Sequence, residues 1–152
     1  MDKIKTFFER IAIFFMAKEK QEVIATLESY AEAFLTFKPN NVIGYFDKPL
    51  TMLLDDGPHV FDTEEKILAY LASYMKDLQD KHYAHDKLTK SHFKSISKTC
   101  VVASFHLVRV NTSGQPFGDF GAMYTWHKTD GKWKLIIGVL LSDGDVLPIP
   151  KN

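Results

Sequence analysis

Ser104 and His106 lie two residues apart in a stretch of alternating polarity, so on an extended strand they share a face. An imidazole beside a hydroxyl suits general-base work or a hydrogen bond to a bound ligand. The same His is equally at home satisfied inside a sheet. Cys100 and His106 do not make a nucleophile pair: on a regular strand, six residues at about 3.3 Å each hold them about 20 Å apart. Cys100 reads as a small buried hydrophobe. His82, His85, Asp86 and His92 supply metal-ligand types, but the segment Lys81 to Lys90 is polar and reads as exposed, so no metal is expected. Asp119-Phe120-Gly121 copies a kinase metal-binding triplet without the glycine-rich loop or catalytic-loop motif that gives it meaning. No P-loop, dinucleotide fingerprint or zinc-finger spacing occurs, and no cofactor is expected.

These residues must be positioned by helices in the first half and strands in the second. Residues 2 to 38 lack Gly and Pro. Ile4, Phe7, Phe8, Ile11, Phe14 and Phe15 recur at helical spacing, and Val23, Ile24, Leu27, Tyr30, Ala31, Phe34 and Leu35 form a second set ended by Pro39. The polar run Lys18 to Glu22 divides two helices, or kinks one. Asn41 to Phe46 adds a possible short turn of helix, and Pro49 to Leu54 reads as a strand, followed by the turn Asp55-Asp56-Gly57-Pro58. Asp62 and Glu65 have capping-box spacing before a helix striped by Ile67, Leu71, Met75 and Leu78. From about residue 87 the period is two. Strands are expected over Lys87 to Ser97, Thr99 to Val110, Phe120 to Lys128 and Trp133 to Leu141, with a hairpin turn at Asp130-Gly131. The last strand is apolar on both faces from Leu135 onward, so one face should meet the helices and the other a partner subunit or the C-terminal tail.

The 152 residues fit one domain, and 45% hydrophobic content can fill a core without a disulfide or metal. The balance of 19 basic against 19 acidic residues disfavours a nucleic-acid partner. With one cysteine, no signal-peptide pattern and no span of bilayer length, a cytoplasmic location is expected.

The order of helices, strand, helix and long strands, closing on Thr129-Asp130-Gly131-Lys132-Trp133-Lys134-Leu135, resembles the nuclear transport factor 2-like superfamily, which includes ketosteroid isomerases and SnoaL-type polyketide cyclases. The resemblance spans about residues 20 to 143. It implies an α+β fold in which a cone-shaped, curved antiparallel sheet wraps the N-terminal helices around a pocket, and dimerisation through the outer sheet face. The chain divides accordingly into an extra N-terminal amphipathic helix at 1–18, the domain at 19–145 and a tail at 146–152. The resemblance to the isomerases aligns Tyr30 with an oxyanion tyrosine. It puts the base near Leu54, which cannot take a proton, with Asp55 next door on the opposite strand face. Ile137 and Val139 stand where some relatives carry His, so the pocket is expected to be apolar and the chain not to isomerise 3-oxo-steroids.

Catalytic candidates are therefore Tyr30, Asp55 and His106, and the expected ligand walls are Tyr30, Phe34, Met52, Leu54, Tyr74, Ser104, His106, Tyr124, Trp126, Ile137 and Val139, with Tyr45 and Tyr70 as further aromatic candidates. A small apolar or aromatic ligand bound with little or no catalysis is the first expectation. An isomerase, cyclase or dehydratase is the second, and a dimeric protein-interaction module the third. The Phe-rich stripe of residues 1–18 is expected to pack on protein, over the cone mouth or across a homodimer, rather than on a membrane surface.

Overall fold

The computed structural model describes residues 17–142 and 144–146. The expected N-terminal amphipathic helix and C-terminal tail lie almost wholly outside them. Helix α1 (Lys18–Phe34) carries Val23, Leu27, Tyr30 and Phe34 on one face, at the i, i+4, i+7, i+11 spacing that a 3.6-residue period keeps aligned. A short helix α2 (Pro39–Val42) with Pro at its start, and a 3-10 turn at Ile43–Tyr45, lead into the sheet.

Strands β1 (Phe46–Leu54) and β2 (Gly57–Phe61) form a hairpin, followed by helix α3 (Glu64–Asp80). The N-cap of α3 is Thr63, whose hydroxyl accepts from Lys66 N at 3.3 Å; Asp62 instead pairs with the Lys66 ammonium at 2.6 Å. The cap therefore falls one residue later than the Asp62–Glu65 spacing implied, while Glu64 and Glu65 suit the positive end of the helix. Ile67, Leu71, Met75 and Leu78 are all buried.

The rest of the chain is a meander: β3 (Tyr83–Ser97), β4 (Cys100–Asn111), β5 (Pro116–Thr129) and β6 (Lys132–Leu141). Asp130 (φ 51°) and Gly131 (φ 75°) both adopt the left-handed backbone that a two-residue hairpin turn demands. Sheet order is β2-β1-β6-β5-β4-β3. Every pair is antiparallel except β1 and β6, which run parallel and bring the first strand beside the last. The concave face holds the core, with Val101, Ala103, Leu50 and Trp126 fully sealed from solvent against α1 and α3.

A polar clamp ties α1 to the hairpin of β5 and β6. Glu22 accepts from Trp133 Nε1 at 2.7 Å and from Lys128 Nζ at 3.0 Å. The Trp133 bond first, then the Lys128 bond, hold the Glu22 carboxyl below its ordinary value. A depressed carboxylate stabilises the fold above its unfolded pKa, and that stabilisation disappears as pH falls through the folded pKa. Glu22→Gln should therefore be less stable than the parent near pH ~7, with the difference in melting temperature shrinking toward pH ~3. Thermal denaturation of both proteins across that range checks it, and a pH-independent difference would remove the charge from the explanation.

Candidate functional site

The inward face of each strand follows from its alternation. On β4 it is Val101, Ala103, Phe105, Leu107 and Arg109; on β5 it is Phe120, Ala122, Tyr124 and Trp126. On β6 the alternation is broken. Trp126 pairs with Leu135 and Thr125 with Ile137, so Ile136 is one extra residue, a β-bulge. Trp133 and Leu135 face inward before it, and Gly138 and Leu140 after it. Gly138 leaves room that the thioether of Met52 fills: a Cβ there would lie 2.5 Å from Met52 Sδ, so a larger residue would make the end of that flexible side chain move.

Two helices do not fill the cone. A cavity of about 300 Å³ remains between α1, the N-terminal part of β3 and the mouth-side ends of β4, β5 and β6. Leu27, Phe34, Phe105, Leu107, Phe120 and Leu140 make most of its wall, and Tyr30, Tyr74, Tyr83, Tyr124, Glu28, His85 and Asp86 bring the polar groups. Tyr30 centres a ring cluster, with centroids 5.7 Å from Tyr45, 5.9 Å from Phe46, 6.0 Å from Phe34 and 6.5 Å from Trp126. Burial pushes the Tyr30, Tyr74, Tyr83 and Tyr124 hydroxyls far above the ordinary phenol value, so all four stay neutral.

Asp86 is the ionisable group of most interest in this wall. Its partner across β3 and β4 is Arg109, and the bulge between Tyr83 and His85 turns it inward, with 30% of its side chain still exposed at the cavity mouth. Desolvation raises its pKa, opposed by the Arg109 charge and by a hydrogen bond with Tyr83. A second, more polar chamber of about 510 Å³ adjoins the first through the shared walls Tyr74, Phe120 and Leu140. Arg109, Asp55, Tyr70, Phe117 and Leu54 line it, and burial pushes Tyr70 up to about 12.

The expected site residues separate into groups. Tyr30, Phe34, Tyr74 and Tyr124 line the first cavity, and Leu54 with Tyr74 lines the second. Met52 and Trp126 are buried in the core. Ser104 and His106 do not look into the cone, because their strand face is the convex one. His106 there meets Thr89 Oγ1 at 2.5 Å through Nδ1, and Asp119 through Nε2. Ile137 and Val139 also face outward, displaced by the Ile136 bulge. Asp55 sits at the rim of the second chamber and accepts from Ser142 Oγ and from Ser142 N at 2.9 Å. Those bonds lower its pKa and weaken it as a base. Tyr30, Asp55 and His106 therefore do not converge as a catalytic set. Among the described residues no group of three or more His, Cys, Asp or Glu converges on a possible metal position.

Phe105, Leu107, Arg109 and Asp86 were not among the expected site residues. The signal for three of them is the alternation of β4. Val101, Ala103, Phe105 and Leu107 are the more apolar set, hence the concave one, and Arg109 continues their parity. Among the described residues no helix is long and apolar enough to cross a membrane.

Solved structures share this architecture at low sequence identity. Aln2 from a Streptomyces species superposes with a TM-score of 0.69 at 13% identity, over 84% of this chain and 94% of that one. An NTF2-like protein with a cystatin-like fold from Novosphingobium aromaticivorans gives 0.67 at 13% identity, over 94% and 92%. An NTF2-like protein from Cytophaga hutchinsonii gives 0.63 at 16% identity, over 84% and 99%. No curated protein sequence matches. The family model described as NTF2-like protein (DUF6841) matches residues 19–142. With the greater part of its length under that model and the cone built as described, the chain belongs to the NTF2-like family.

Proposed function

We propose that this chain binds a small, uncharged aromatic or apolar molecule inside the cone. The observation that carries the reading is the first cavity, walled by Phe34, Phe105, Leu107 and Phe120 with neutral tyrosine hydroxyls between them. A pocket that is mainly apolar, with a few convergent polar groups, is the form small-molecule sites take. Its volume of about 300 Å³ suits a molecule of two or three fused or linked rings.

A neutral fluorescent aromatic such as N-phenyl-1-naphthylamine is expected to bind with enhanced, blue-shifted emission. Ala31 lies at an exposed position on the rim, so Ala31→Trp should block entry with little change in melting temperature. Affinity should fall about tenfold or more, corresponding to ~1.4 kcal/mol. Undiminished binding by that variant would sink the assignment to this cavity.

A second reading, an acid–base enzyme of the isomerase, cyclase or dehydratase type, is favoured by one observation: the Asp86 carboxyl in the cavity wall, its pKa raised by desolvation, next to Tyr83. Under it, deuterium exchange at the α-carbon of an enolisable cyclic ketone is accelerated, and Asp86→Asn lowers the rate about 10²–10⁴-fold. Exchange at the same rate in both proteins would dismiss it.

We also propose a homodimer through the convex sheet face. Leu53 and Ile137 are 40% and 44% exposed, and Leu53 pairs with Val139, which pairs with Met123, giving a continuous apolar patch over three strands. Light scattering on the full chain at tens of micromolar should give the dimer mass, and Ile137→Glu should give the monomer mass without loss of fold. A monomer in the parent protein overturns it.

A further inference from the structure

The second chamber has a feature that the first lacks, a cation embedded in its wall. Only 15% of the Arg109 side chain is exposed. Its guanidinium lies 4.5 Å from the Phe120 ring centroid and 5.3 Å from that of Tyr74, and Nη2 donates to the Tyr74 hydroxyl. Nε is buried without a hydrogen-bond partner. Asp86 Oδ1 is 4.0 Å from it, an ion-pair distance but too long for a hydrogen bond. The guanidinium plane is thus fixed by two rings, with Nε sealed on the Asp86 side. That is the preorganised state from which arginine recognises planar oxyanions.

Three carboxylates edge this chamber, and each already has a partner. Asp55 is held by Ser142, Asp56 by His59 at 2.7 Å, and Asp119 by His106. None of them closes on Arg109; their charge opposes any anion in the chamber, and a dianion such as phosphate about twice as strongly as a monocarboxylate. Tyr70, Phe117, Phe120 and Leu54 give the chamber flat apolar walls around the cation. We propose that the second chamber is a separate binding site for a small aromatic monocarboxylate, its carboxylate on the Arg109 guanidinium and its ring against Phe117 and Tyr70. This site is distinct from the neutral-ligand cavity, with which it shares Tyr74, Phe120 and Leu140.

The probes are benzoate, its uncharged counterpart benzamide, and inorganic phosphate, each titrated into the full chain at low salt by calorimetry and by amide NMR. Benzoate is expected to bind and to shift the Gly118 and Ser142 resonances, which belong to this chamber alone. Benzamide should bind about tenfold more weakly or not at all, and phosphate more weakly than benzoate. Arg109→Lys keeps the charge but loses the planar fork, and should weaken benzoate about fivefold or more. If that variant does not fold, the benzoate–benzamide contrast in the unaltered protein still decides. Absence of benzoate binding, equal affinity for benzamide, tighter binding of phosphate, or shifts confined to the first cavity would each overturn the proposal. Benzoate binding without binding of the neutral fluorophore would leave this site standing and remove only the other reading.

Discussion

Ile136 has no counterpart on β5, and the interior of the cone depends on that extra residue. Without it, Trp133, Leu135, Ile137 and Val139 would all point inward, and two branched side chains would occupy the space between β6 and the helices. With it, Gly138 and Leu140 face the interior instead. Gly138 lets the end of Met52 lie over the strand where a Cβ would otherwise displace it, and Tyr124, a neighbour of Gly138 on β5, sits beside the same point. The bulge thus opens room on the concave side and at the same step moves two apolar residues to the convex side. Cavity and outer patch are two results of one local insertion.

The remaining space is furnished with rings rather than closed. A curved sheet diverges from the two helices that lie in it, and Tyr30, Phe34, Tyr74, Phe105 and Tyr124 span the gap. Tyrosine serves where phenylalanine would pack as well, because its hydroxyl can meet a polar group at the cavity surface. Tyr74 and Phe120 also border both chambers, and the Arg109 guanidinium lies against both of their rings. An apolar chamber and a charged one therefore adjoin within one small domain without a separate wall of backbone.

Element types were largely legible in the sequence, because long runs of period 3.6 or period 2 leave little choice. The stripe Ile67, Leu71, Met75, Leu78 and the Asp130-Gly131 turn carry their own physics. The hairpin partner β2 was not legible: Gly57 to Phe61 is short and opens on turn residues. The site was less legible than the fold, since parity decides which side chains meet a ligand and bulges reset parity without a sequence mark. His106 and Ser104 were assigned to the interior by type, whereas the greater apolarity of their alternate set put Phe105 and Leu107 there. Asp86 was hidden for a related reason. Its neighbours in sequence are polar, and the bulge between Tyr83 and His85, which pairs it with Arg109 on β4, turns it into the cone.

The parallel pairing of β1 with β6 has a consequence for the order in which the chain acquires its structure. Residues 46–53 bond to residues 135–139, so the centre of the sheet is completed by segments from opposite ends of the sequence. The β3 to β6 meander is built from neighbouring strands and can assemble from its own turns. The β1–β2 hairpin has no sheet to join until β6 exists, and loop-closure entropy over that separation is set against the pairing. During synthesis α1 and β1 leave the ribosome before the strands that cover their apolar faces. Helix α1 packs on β3, β4 and β6, and β1 pairs with β6, so their apolar faces stay uncovered until the meander has been made.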